Sequence, residues 1–109
     1  MADPRVRQLK IKTGVVKRLF KEKISYEKEA DQQRSRIDKF RAEGKDEHVL
    51  RKEEEVLQEC LMIIPDSQRR LKKAFEELSE FLKAEEDLKE TEDFTNAMAV
   101  IEEAKVQLA

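Results

Sequence analysis

Residues 46–82 read DEHVLRKEEEVLQECLMIIPDSQRRLKKAFEELSEFL. Within them Leu50, Glu54, Leu57, Leu61, Ile64, Gln68, Leu71, Phe75, Leu78 and Leu82 follow one another at alternating steps of four and three. That spacing keeps one face of an α-helix turned towards a neighbour and is the period of a left-handed coiled-coil seam; a strand would alternate every second residue. Asp46 supplies an N-cap at the start of the run. Pro65 lies inside it, lacking an N–H and crowding the preceding turn. Because the ladder keeps its phase on both sides, the sequence predicts a single helix kinked near Met62–Pro65.

The same period extends in both directions. Upstream, Leu9, Lys12, Val16, Leu19, Lys23, Tyr26, Ala30, Gln33, Ile37 and Phe40 form a ladder that opens at Asp3-Pro4 and stops at Gly44. Downstream, Thr91-Glu92-Asp93 has the composition of a helix start, and Phe94, Ala97, Ile101, Ala104 and Leu108 follow. Helices are therefore expected over about 4–43, 47–88 and 92–108, within a single domain spanning 1–109. At about 1.5 Å per residue the first two are each near 60 Å long and the third near 25 Å. Short connections make neighbours antiparallel. The predicted fold is all-α: an antiparallel three-helix bundle with left-handed coiled-coil packing, two long helices and a shorter third, the second kinked at Pro65. A short third helix covers only one end of the long hairpin, before about residue 25 and after about 66. Additional apolar residues appear in those regions: Val6 and Phe20, with Thr13 between them, and Ala74 and Phe81. The first row turns to Glu27 and Arg34 further along.

Composition narrows the function. Of 109 residues 44% are charged and 39% hydrophobic, with two glycines and one cysteine. Two glycines leave few positions for the tight loops that place catalytic groups. There is neither a GxxxxGK[ST] loop nor a nucleophile elbow. His48 has no second histidine or cysteine nearby, and catalysis needs a positioned partner. Cys60 reads as a small hydrophobe at the edge of a seam. Glu53-Glu54-Glu55 and Glu85-Glu86-Asp87 read as solvated faces, since carboxylates adjacent on a helix diverge. No enzyme activity, cofactor, metal or small-molecule substrate is expected. No segment approaches the roughly 20 apolar residues of a membrane span, and the first residues lack the apolar core of a signal peptide. A lone cysteine makes no internal disulfide, so a cytoplasmic home is expected.

The net charge of −2 is unevenly distributed. Residues 1–44 hold 13 Lys/Arg against 7 Asp/Glu, residues 45–86 hold 8 against 12, and residues 87–109 hold 2 against 6. A basic first helix can neutralise acidic neighbours, bind nucleic acid or attract an acidic protein. The sequence pI of about 5.6, and the absence of aromatics interleaved with the basic residues, oppose nucleic acid. Ile11 and Val15, one turn apart and off the ladder, and Met62 and Ile63, beside Pro65, are the apolar candidates for a partner patch. Lys17, Lys21, Arg69 and Arg70 are its basic candidates. Gly14 interrupts helix one at about 1 kcal/mol relative to alanine, so a close helix contact or a partner is expected to use its bare backbone.

The opening Met1-Ala2-Asp3-Pro4-Arg5-Val6-Arg7-Gln8-Leu9-Lys10-Ile11-Lys12-Thr13-Gly14-Val15-Val16-Lys17-Arg18-Leu19, then Lys21-Glu22-Lys23 and Tyr26-Glu27-Lys28-Glu29-Ala30, with Ile64-Pro65-Asp66 and Gln68-Arg69-Arg70-Leu71, closely resemble the tubulin-binding cofactor A family. The resemblance is specific over the first 30 residues and around Pro65; elsewhere mainly the heptad character matches. It implies a cytosolic, cytoskeleton-associated three-helix chaperone without nucleotide hydrolysis. Such a chaperone takes β-tubulin after release from the cytosolic chaperonin and passes it towards cofactor D and α/β heterodimer assembly. The alternative for such a bundle is a spectrin-like spacer or coiled-coil adaptor that binds no tubulin; the absence of Trp and the short third helix count against it.

Overall fold

The computed structural model describes residues 3–109. The Asp3 carboxylate accepts the Arg5 backbone N–H at 2.9 Å, and Pro4 takes the first position of α1 (Pro4–Ala42). That helix ends where Gly44 adopts φ 69°. There the Gly44 N–H donates to the Arg41 carbonyl and the Lys45 N–H to the Phe40 carbonyl, a Schellman stop that a residue with a Cβ resists. Asp46 caps α2 (Glu47–Ala84) through the His48 N–H, and Thr91 caps α3 (Glu92–Leu108) through the Phe94 N–H.

α2 remains helical through Pro65, which stands on an exposed face. Its end corrects the expected boundary at residue 88. The helix stops at Ala84, and Glu86–Leu88 form a separate 3₁₀ turn. Tertiary contacts account for this: Arg5 holds Glu85 at 2.7 Å and Asp87 at 2.9 Å, and Leu88 is buried. The chain is thereby drawn across the end of the bundle instead of continuing straight.

Ion pairs and hydrogen bonds set the register. Arg5 meets Glu85 at one end, while the Gln33 side-chain amide donates to the Glu53 carbonyl at 2.9 Å, so α1 and α2 are antiparallel. Lys10 lies 3.8 Å from Asp93, which places the start of α3 beside the start of α1. The resulting rod measures 65 × 25 × 18 Å.

One apolar cluster joins all three helices: Leu9, Val16, Leu19 and Phe20 from α1, Leu71, Ala74, Leu78 and Leu82 from α2, and Ala97, Val100, Ile101 and Ala104 from α3. Val100 lies off the predicted seam. It is buried because α3 faces two helices and needs a wider apolar stripe than a two-helix seam. Beyond α3 the core thins: α1 buries Ala30 and Ile37, but Leu50, Leu57, Leu61 and Ile64 of α2 are only half-buried. Two packing details differ from the ladders. Ser67, not Gln68, is fully buried, and its hydroxyl has no hydrogen-bond partner among the described residues. Phe81 lies under Lys12 of α1, whose Nζ is 5.8 Å from the ring centroid, while the groove against α3 is lined by Phe75, Ser79 and Leu82. The Ala74–Phe81 row thus packs towards α1, and the neighbouring row of α2 meets α3.

Candidate client-binding surface

The eight candidate residues differ in environment. Ile11 is 58% exposed and Met62 74% exposed, and Ile63 is exposed beside it. Val15 differs: it is half-buried and packs against the core cluster, so it supports the surface from beneath. Lys17 and Lys21 are exposed and, among the described residues, form no ion pair. Arg69 is exposed and pairs with Asp66, one turn before it, whereas Arg70 makes no ion pair among the described residues.

These residues do not converge on one patch. With Arg5 opposite Glu85 and Gln33 opposite Glu53, Met62 lies level with about residue 26 of α1. Ile11 is then about 22 Å away along the rod axis. The surface consists of a basic, apolar-studded section of α1 at the three-helix end and an apolar section of α2 near mid-rod.

Other exposed apolar side chains extend both sections. Ile24 is exposed on α1, and Val49, Val56 and Ile63 recur every seven residues on α2. That interval is visible in the sequence, but the leucines of the seam carry the stronger apolar signal. A groove of about 770 Å³ opens between α2 and α3, lined by the apolar side chains of Phe75, Leu82, Phe94, Met98 and Ile101 and by Lys83, Lys89 and Lys105. It depends on how two helices pack, so the sequence pattern contains no direct signal for it.

The shifted titrations belong to architecture. Hydrogen bonds from Arg5 hold the Asp3 carboxyl below its ordinary value, and Arg5 in turn holds its proton more firmly through Asp3, Glu85 and Asp87. Glu53 is lowered first by the Gln33 amide and then by the charge of Arg36. Both clusters tie α1 to α2 or to the turn that follows it. His48 is exposed and Cys60 half-buried. Among the described residues, no group of three His, Cys, Asp or Glu side chains is placed to hold a metal ion, and no helix is long and apolar enough to cross a membrane. What this geometry offers a ligand is helix surface: cations, scattered apolar side chains and grooves.

The chain matches the family model for tubulin binding cofactor A over residues 4–101. It is 53% identical to tubulin-specific chaperone A of Homo sapiens over 107 residues, 98% of this chain and 99% of that protein. It is 32% identical to tubulin-specific chaperone A of Saccharomyces cerevisiae, covering 90% and 91% of the two chains. The solved structure of human tubulin chaperone cofactor A is similar with a TM-score of 0.83 at 51% identity, over 94% of this chain and 99% of that one. The crystal structure of tubulin folding cofactor A from Arabidopsis thaliana is similar with a TM-score of 0.90 at 34% identity, over 95% and 98%. Agreement in sequence, length and three-helix fold has one conclusion: this chain belongs to the tubulin-binding cofactor A family.

Proposed function

We propose that this protein is a stoichiometric chaperone of tubulin folding. It captures β-tubulin after release from the cytosolic chaperonin, holds it in a quasi-native state and passes it towards cofactor D and heterodimer assembly. It works in the cytoplasm in association with the cytoskeleton, without a cofactor and without catalysis. The observation that carries this reading is the end-to-end match to tubulin-specific chaperones, 53% identical over 98% of the chain.

The physics suits such a role. An acidic client is steered by the unpaired cations of α1, Lys17 and Lys21 among them, with Arg69 and Arg70 adding charge from α2. Ile11, supported by Val15, and Met62 with Ile63 offer apolar contacts to a client surface that is still incomplete. A rod with two separated sections spans a broad area of client without enclosing it.

The test is co-elution at physiological salt of the purified chain with β-tubulin released from chaperonin, with α-tubulin in parallel. A stable complex with β- but not α-tubulin is expected. Reversing Lys17 and Lys21 to glutamate is expected to weaken capture while leaving helicity intact. If no complex forms with either tubulin, the proposal is wrong, and a structural adaptor is then the better description.

A further inference from the structure

α1 carries a second ladder, on the side away from its seam. Arg7, Lys10, Gly14, Lys17 and Lys21 follow at steps of three and four, and Ile24 and Lys28 continue the row. Residues at that spacing share one helix face. All seven are exposed, and the row contains five cations and no carboxylate. Among the described residues only Lys10 of these five reaches an acid, Asp93, at 3.8 Å.

Gly14 sits in the middle of this row, and nothing within the chain calls for it. The backbone there is helical, and the single glycine with positive φ is Gly44. Among the described residues, a Cβ built on Gly14 would meet no atom within 4 Å apart from its chain neighbours and its own helix backbone. Neither conformation nor packing therefore explains a poor helix former within a 39-residue helix. Its surface neighbours at three and four residues are Lys10, Ile11, Lys17 and Arg18: three cations around an isoleucine that is 58% exposed. Arg18 leans on Glu22 at 3.8 Å, a loose exposed pair that a better partner displaces.

We infer that Gly14 is the point where a helix of the client, apolar along one stripe and flanked by carboxylates, crosses α1. The distance between packed helix axes is set by the side chains at the contact. A bare backbone at position 14 lets the partner approach closely, Ile11 packs against its apolar stripe, and Lys10, Lys17 and Arg18 pair with the flanking carboxylates. The choice of an acidic partner follows from charge complementarity with a row that holds five cations and no carboxylate. The inference rests on the tubulin reading for the identity of the client and adds the place and chemistry of the contact.

Gly14→Ala, Gly14→Leu and Lys17→Glu, each in the full chain, separate this role from a structural one. Purified β-tubulin is the probe, and affinity and melting temperature are both measured. Both Gly14 variants are expected to melt higher than the wild type, because alanine and leucine are better helix formers and the site is open. Gly14→Leu is nevertheless expected to lose about tenfold or more in affinity, a change of about 1.4 kcal/mol, with Gly14→Ala losing less. Lys17→Glu is expected to slow association and flatten its salt dependence. If the wild type binds β-tubulin and Gly14→Leu binds it equally tightly, the crossing point is refuted and the client reading stands. If the wild type binds no tubulin, both fall.

Discussion

Replacing Leu78 by alanine removes a side chain that is 0% exposed and belongs to the cluster joining all three helices. Three carbon atoms at about 0.8 kcal/mol each account for roughly 2.4 kcal/mol of lost transfer energy. The cavity left behind raises the cost to about 3–4 kcal/mol, because neighbours anchored on three helices relax only partly. A domain of this size has a total stability of about 5–15 kcal/mol. At about 4 °C per kcal/mol, the melting temperature of Leu78→Ala should fall by roughly 12–16 °C. Leu57→Ala is the control: the same chemistry on the same helix, but half-buried in the region that α3 does not reach. It should cost about 1 kcal/mol and roughly 4 °C. Far-UV circular dichroism during heating and a urea titration measure both. Equal losses at the two sites would falsify the claim that stability is concentrated where three helices overlap.

Pro65→Ala restores a backbone donor inside α2 at an exposed position, so it should stabilise the chain; a lower melting temperature would mean that the proline ring itself contributes packing. Ser67→Ala removes a buried hydroxyl that has no partner among the described residues and should be neutral or stabilising by up to about 1 kcal/mol in the same melts. Acid should destabilise the fold. Asp3 and Glu53 have pKa values below their ordinary 3.8 and 4.5, so the stability they contribute is fully present above those values and is lost as pH falls through the depressed folded values. Melting temperature is therefore expected to fall below about pH 4, and Arg5→Ala to make that fall shallower; an unchanged pH profile in Arg5→Ala would remove Asp3 as a contributor.

Much of this architecture is local information. The caps Asp3, Asp46 and Thr91, the stop at Gly44 and the seven-residue period of the leucines depend on hydrogen bonds and side-chain directions within a turn or two, so the sequence by itself determined three helices, their order and their antiparallel hairpin. The excess of cations in α1 was legible for the same reason, because charge requires only counting.

The tertiary structure decided what depends on two helices at once. Ser67 rather than Gln68 is fully buried because the packed neighbours select between adjacent positions, and a heptad pattern does not resolve one residue from the next. α2 ends at Ala84 because Arg5, about eighty residues earlier in the chain, holds Glu85 and Asp87. Val15 belongs to the core edge and not to the open surface, whereas Gly14, one residue before it, faces empty space. From the sequence both were simply off the seam. Periodicity fixes which face of a helix turns inward, but only the packed neighbours determine how wide that face is, and so which residues remain for a partner.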